Sequence, residues 1–297
     1  MKTTFLSLII KSLAVIFLLN SCNEEVKRLD NVFYAFNNCV RTLPNAPAGF
    51  KAQAALVKDI GYDYMAGHSE DSYFELRAAM DEVGLEMAEI YIPMRIIDGE
   101  ISYHERLKDV ISDSGDRDLL VALHLHAPDF PGTREEADQI FADGIAELAD
   151  FAAPLNVRIG IYPHVNFYCE TVRHSIDLAQ KANRENAGGI FNLCHFLKVE
   201  GEEGWEKTIV DAIPWLFMVS INGADSGDTR NMEWDRLIQP LGEGSFDTYK
   251  LVKLLKDNGY EGLFGLQCYN IDQDCETALR NSMETWMSYQ EKYAENR

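Results

Sequence analysis

Short β-rich runs recur along this chain at Val32–Val40, Tyr62–Gly67, Glu86–Met94, Leu119–His126, Val157–His164, Gly189–His195, Leu216–Asn222 and Leu263–Tyr269. Between them lie stretches with apolar residues three and four apart, at Ala48–Ile60, Ser72–Gly84, Glu135–Phe151, Phe246–Asn258 and Cys275–Tyr293. The first pattern suits buried strands and the second suits amphipathic helices. Eight strand–helix units in one chain predict an α/β fold of the (β/α)8 TIM-barrel type. A doubly wound open sheet would also alternate, but no phosphate-loop glycine pattern follows the first strand. No Pro/Gly-rich linker interrupts the series, so residues 32–297 read as a single domain.

The amino end reads differently. MKTTFLSLIIKSLAVIFLLNSC carries Lys2 and Lys11 before the apolar run Leu13–Leu19. A basic start, a short apolar run and small residues before a cut describe a secretory signal over residues 1–21. The run is shorter than the roughly 20 apolar residues that span a bilayer. Leu19-Asn20-Ser21-Cys22 resembles the bacterial lipoprotein box, which implies lipidation of Cys22 and an extracytoplasmic, membrane-anchored protein. Polar residues 22–31 then read as a tether.

Composition limits the partners. The 48 acidic against 27 basic residues give a net charge of −21, and 46% of residues are hydrophobic. That apolar content argues against disorder. The charge argues against nucleic acid, which needs a Lys/Arg-rich face, and against a polybasic grip on lipid. The membrane would then be met only through the lipid anchor, and a small molecule is the easiest partner to place. Besides Cys22, five cysteines occur with no CxxC spacing, which argues against a zinc ribbon. Cys39, Cys194 and Cys268 lie in apolar runs and read as small buried side chains.

Strand side chains alternate between faces, so the bulky row Val121, Leu123 and Leu125 should pack on helices. Ala122, His124 and His126 should then point into the barrel. The same alternation turns Glu89 and Tyr91 inward, as well as Gly160, Tyr162 and His164. It also turns Ser220 and Asn222 inward, and Gly265, Gln267 and Tyr269; Arg158 is the one basic residue on an inward row. Active sites of such barrels sit at the carboxyl ends of the strands. His126, His164, Asn192 or His195, Asn222 and Gln267 fall near those ends, and a polar ring there is hard to explain as packing.

The stretch Pro240-Leu-Gly-Glu-Gly-Ser-Phe-Asp247, the turn Asn258-Gly-Tyr-Glu-Gly262 and the run Leu263–Gln267 resemble the last unit of the xylose isomerase-like TIM barrels. Ile161-Tyr-Pro-His164 and Asn192-Leu-Cys-His195 resemble that superfamily's fifth and sixth strand ends. The resemblance covers residues 32–290 in architecture and is specific in motif from about residue 157. It implies isomerisation or epimerisation of a sugar by proton transfer next to a carbonyl; a lyase or hydratase acting on an oxidised sugar is a close variant. It also implies one divalent metal held by Glu, Asp, His and Glu from the fifth to eighth strands. The matching positions here carry Tyr162, Asn192, Ser220 or Asn222, and Gln267. Hard divalent metals favour carboxylate oxygens, so the metal mechanism does not carry over unchanged. The sequence therefore names no cofactor.

Histidine is what remains for chemistry. His124 and His126 share one strand face, with His164 and His195 near the next two strand ends and His68 as a secondary candidate. Such a group could bind a borderline metal together with Glu89, or act without metal through one imidazole as a general base. His164, His195 and Glu89 are the acid–base candidates. His126, Asn192, Asn222, Gln267 and Tyr162 are the substrate-binding candidates. His104 and His174 read as surface residues. Trp205, Trp215, Trp234 and Tyr269 follow strands, where rings could stack on sugar C–H faces or fill core. The loop Asn222–Asp228 could close over a ligand or be a solvated turn. The leading expectation is a lipid-anchored carbohydrate enzyme. The rival is a non-catalytic glycan-binding lipoprotein that has lost the metal site. A phosphorylated substrate is disfavoured by the negative field, and a nuclease is disfavoured by both the charge and the replaced ligands.

Overall fold

A computed structural model describes residues 28–115 and 117–295. The signal sequence, Cys22 and most of the expected tether lie outside the described residues. Nine strands form one sheet: β1 Phe33–Ala35, β2 Tyr64–Gly67, β3 Glu86–Ile97, β4 Glu100–Ser102, β5 Leu120–His126, β6 Arg158–Ile161, β7 Ala187–Asn192, β8 Leu216–Ile221 and β9 Leu263–Leu266. Eight of them pair in parallel in the order β1-β2-β3-β5-β6-β7-β8-β9, and β9 returns to β1, which closes the barrel. The expected TIM barrel is therefore the fold. β4 is an addition, antiparallel to the end of β3 through Asp98 and Gly99, both at positive φ.

Helices form where the apolar spacing predicts them, at Phe50–Ile60, Tyr73–Val83, Arg134–Ala152, Thr248–Asp257 and Cys275–Glu295. Local chemistry sets several of their ends. Thr133 and Glu136 cap the third of these helices reciprocally, satisfying two amide donors that helix geometry leaves open. Gly61 and Gly84 end the first two in the left-handed region that glycine enters without steric cost. Four further helices, Leu107–Asp113, Val172–Ala182, Leu193–Val199 and Trp205–Ala212, complete most of the outer ring.

The strand ends differ from the sequence reading in a way that matters for the site. The first run is a strand for only Phe33–Ala35, and Asn37–Val40 turn into a 3-10 helix. The fifth run stops at Ile161, so His164 stands in a loop. The sixth stops at Asn192, so His195 sits in the first turn of a helix. The eighth stops at Leu266, so Gln267 and Tyr269 follow it. Strands of four to seven residues already bridge a TIM barrel, and the segments beyond them bend over its mouth. Residues 28–31, expected as tether, are docked instead: Leu29 is buried, and Asn31 Nδ2 donates to the Gly262 carbonyl at 2.9 Å.

Candidate active site

The inward row of β5 is the one its alternation predicts. Tyr91, on β3, pairs in register with Ala122, and its ring stacks on His124 at 4.1 Å and 18°. His124 Nδ1 and His126 Nε2 lie 2.6 Å apart, so one ring donates and the other accepts. Phe167 then bridges to the next histidine, with centroids 4.2 Å from His126 and 3.9 Å from His164. His164 meets His195 at 3.8 Å, and the edge of Trp234 approaches His195 at 5.6 Å. The four histidines expected at the mouth thus form one continuous arc of rings.

The arc borders a cavity of about 600 Å³ at the carboxyl ends of the strands. Glu89, Tyr162, His164, His195 and Gln267 line it; His126, Asn192 and Asn222 do not. His126 touches Phe167, which does line the cavity. Asn192 is spent on structure: its Oδ1 accepts from the His195 backbone N–H as a helix cap, and its Nδ2 donates to the Tyr162 hydroxyl. Asn222 is fully buried, and its Nδ2 donates to the Leu237 carbonyl at 2.7 Å. Its loop is packed rather than lid-like. A Cβ on Gly223 would meet the Pro240 carbonyl, and Asp225 pairs with Arg236 at 2.8 Å. Trp234 and Tyr269 reach the cavity, whereas Trp205 is core and Trp215 lies on the surface.

His174 corrects another expectation. It is 8% exposed, with Nε2 at 2.9 Å from Asp138 and Nδ1 at 2.9 Å from Arg134. The Tyr168 hydroxyl donates to the same Asp138 oxygen at 2.7 Å. Tyr168 and His174 flank one end of the loop that carries His164 and Phe167. Asp138 therefore clamps that loop to the helix Arg134–Ala152.

Electrostatics divide the lining groups. Burial holds His124 far below the ordinary imidazole range, at about 3, with the neighbouring His126, His164 and Arg95 charges adding to it. Burial also lowers His164 and pushes His195 well down, each with help from a neighbouring imidazole. These rings are therefore neutral at pH 7. His164 Nδ1 lies 2.7 Å from the Val165 carbonyl, which only accepts, so Nδ1 carries the proton and Nε2 keeps its lone pair. His195 Nδ1 is buried with no hydrogen-bond partner. Glu89 shifts the other way. It is 1% exposed, and burial raises its pKa to about 7 against the opposing hydrogen bond that the Tyr34 hydroxyl donates at 2.6 Å. One cavity thus holds a carboxyl that carries a proton near neutrality and imidazoles that do not.

The positions that resemble the family's ligands test its metal. Tyr162, Asn192, Ser220 and Gln267 are all neutral. Tyr162 and Asn192 satisfy each other, and Gln267 accepts from Asn38 and from the Tyr269 backbone N–H. Among the described residues, no group of three or more His, Cys, Asp or Glu side chains is placed to hold a metal ion. The donor set does not fit a carboxylate-held dication.

Asn37, Asn38 and Arg41 also line the cavity, and sequence reasoning missed them. They sit on the 3-10 turn that replaces the end of the first expected strand, so strand alternation could not point to them. A sharper signal was available in Asn37-Asn38, two polar residues closing an otherwise apolar run.

A family model described as xylose isomerase-like TIM barrel matches residues 54–289. No curated protein is similar enough in sequence to count as a relative. Among solved structures, D-psicose 3-epimerase with D-tagatose, from Clostridium cellulolyticum H10, is similar at TM-score 0.65 and 14% identity, over 89% of this chain and 99% of its own. The 3-keto-D-glucoside 4-epimerase of E. coli, in its apo form, is similar at TM-score 0.64 and 16% identity, over 87% and 99%. The IOLI protein with a binding zinc atom is similar at TM-score 0.66 and 16% identity, over 88% and 98%. At these identities the likeness is one of fold.

Proposed function

Since the chain belongs to the xylose isomerase-like TIM barrel family, we propose that it is a carbohydrate isomerase or epimerase that moves protons with His164 and Glu89 in place of the family's metal carboxylates. The observation that carries this reading is that one cavity is lined both by a neutral imidazole whose Nε2 is free and by a carboxyl that titrates at about 7. Groups whose pKa values are pushed apart in one site are the usual mark of an acid–base pair.

The steps follow from those atoms. His164 Nε2 takes the proton from the carbon next to a sugar carbonyl, and the C–H electron pair becomes the double bond of an enediol. Protonated Glu89 gives its proton to the carbonyl oxygen, while the Tyr34 hydroxyl hydrogen-bonds the carboxylate that forms. Return of a proton to carbon from the other face gives the epimer; return to the neighbouring carbon gives the isomer. Loss of a β-hydroxyl from the same enediol would make the enzyme a lyase or dehydratase. His195 packs against His164 as a second neutral ring, and Trp234 and Tyr269 offer faces for sugar C–H groups. The sugar-epimerase neighbours agree with such a substrate. The sequence of residues 1–22 supports a lipid-anchored, extracytoplasmic location.

The test is proton exchange. Ketoses and keto-sugars incubated with the protein in D2O should gain deuterium next to the carbonyl by NMR, and His164→Ala should abolish that gain. Saturable sugar binding without exchange in any sugar would sink the enzymatic reading and leave a glycan-binding cavity. The neutral Tyr162–Asn192 pair, each satisfying the other, favours that second reading.

A further inference from the structure

We infer that the substrate is a sugar acid, held by its carboxylate on the wall built from the first two strand ends. This deepens the reading of the cavity given above and rests on its being a sugar site. Three side chains on that wall carry the argument. Asn37 is 3% exposed and lines the cavity, yet neither Nδ2 nor Oδ1 has a hydrogen-bond partner. A buried amide left wholly unpaired costs on the order of 1–3 kcal/mol, so such a group in a cavity wall is shaped for something that binds there. His68 lines the same wall with its Nδ1 buried and unpartnered. Arg41, at the end of the same 3-10 turn as Asn37, lines the cavity with no hydrogen bond or ion pair to its guanidinium among the described residues.

An arginine left unpaired beside a cavity contrasts with most cations of the molecule. The chain carries 48 acids, and its cations widely find them, as Lys51 finds Glu82, Arg184 finds Asp150 and Arg280 finds Asp59. Arg41 faces the cavity instead, and its charge adds to burial in keeping His68 neutral. Arg95 is exposed, pairs in register with His126 and lowers both His124 and His126 on the other side of the mouth. Negative charge lies elsewhere in the lining. Asp235 belongs to the short helix Trp234–Leu237 beyond β8, and Glu89 is held protonated near neutrality by burial.

The donors and acceptors match an α-hydroxy carboxylate. Arg41 only donates, and the Asn37 amide offers one donor and one acceptor. A carboxylate can accept from the guanidinium and from Asn37 Nδ2, while the neighbouring hydroxyl, freed when a uronate ring opens to its carbonyl form, donates to Asn37 Oδ1. One arginine in the lining of a protein of net charge −21 suits a monoanion better than the dianion of a phosphate ester.

Matched sugars test this. D-Glucuronate and D-galacturonate are titrated against D-glucose, D-galactose and glucose 6-phosphate by calorimetry, with Trp234 fluorescence as a second readout. At least one acid should bind about 10- to 100-fold tighter than its parent sugar. Arg41→Gln should bring that acid to the level of the neutral sugar, Arg41→Lys should restore part of the gain, and Asn37→Ala should weaken the acid more than its parent. Arg41 is exposed and unpaired, so a thermal melt should show its variants folded. Equal binding of acid and parent, tighter binding of the phosphate, no binding of either acid, or an Arg41→Gln variant that still prefers the acid would overturn the inference. Deuterium exchange is read separately. Arg41-dependent acid binding without exchange defeats the catalytic proposal and leaves this one standing; exchange into neutral sugars alone does the reverse.

Discussion

The two sides of the barrel mouth are built on different principles. On the side of β5, β6 and β7, the functional groups are imidazoles held by ring contacts to one another, to Tyr91 and to Phe167. On the side of β1, β2 and β3, they are a protonatable carboxyl, an unpaired amide and an unpaired guanidinium. The first side is packed ring on ring, and burial there lowers its imidazole pKa values. The second keeps one carboxyl buried at the floor and leaves its cation facing the opening. The imidazole side lines the cavity without a carboxylate, and Glu89 lines it from the other side. The comparison teaches that a site without a carboxylate cluster can still hold acid–base groups.

The largest expected effect falls on the imidazole side. His164→Ala should lower the exchange rate by about 10²- to 10⁴-fold, the usual worth of a general base. If His195→Ala alone gives the larger loss, the base is assigned to the wrong ring. Glu89→Gln comes next and probes the opposite wall. It keeps an acceptor for the Tyr34 hydroxyl and removes the acid, so the rate should fall by about 10²-fold. The pH profile should also change shape. With His164 neutral above its lowered pKa and Glu89 protonated below about 7, wild-type activity should peak on the acid side of 7 and fall as pH rises through that value. Glu89→Gln should lose the alkaline limb, and an unchanged limb would remove Glu89 from the mechanism.

The same residue makes a stability prediction. A carboxyl whose pKa is raised on folding contributes stability below its unfolded pKa and loses it as pH rises through the folded one. Wild-type stability should therefore decline between about pH 4.5 and 7. Glu89→Gln should remove that decline, for a gain on the order of 3 kcal/mol at pH 8 by chemical denaturation. The smallest effect concerns the clamp behind the imidazole side. Asp138→Asn should cost about 1–3 kcal/mol of stability and lower activity roughly tenfold, because the hydrogen bonds from Tyr168 and His174 that fix the His164 loop weaken. Its pH optimum should stay where it is; a moved optimum would give Asp138 a part in the proton transfer itself.

Much of the imidazole side was legible in the sequence. His124 and His126 stand two apart on a strand, and their shared face follows from backbone geometry alone. His164 and His195 were legible as neighbours of strand ends, though not as loop and helix residues. The roles expected of Asn192 and Asn222 were not legible. Both are Asn residues at strand ends, yet Asn192 caps a helix and binds the Tyr162 hydroxyl while Asn222 binds backbone carbonyls, and only the fold reveals that. His174 was misjudged for a related reason: on a helix nothing local separates an exposed imidazole from one locked between Asp138 and Arg134. Asn37 and Arg41 escaped because the first strand ends after three residues, and the 3-10 turn that follows has no period-two face to read.

By itself the sequence determined the barrel. Eight alternations of period two and period 3.6 are local patterns, and their burial can be satisfied together by a closed sheet wrapped in helices. It also placed Tyr162, Asn192 and Gln267, not carboxylates, at or just beyond the strand ends, since residue identity needs no fold. The tertiary structure decided which of the remaining polar groups face one cavity and in what protonation state. Burial and neighbouring charge set a pKa, and both come from residues far apart in the chain: Tyr34 beside Glu89, His195 beside His164, and Arg95 beside His126.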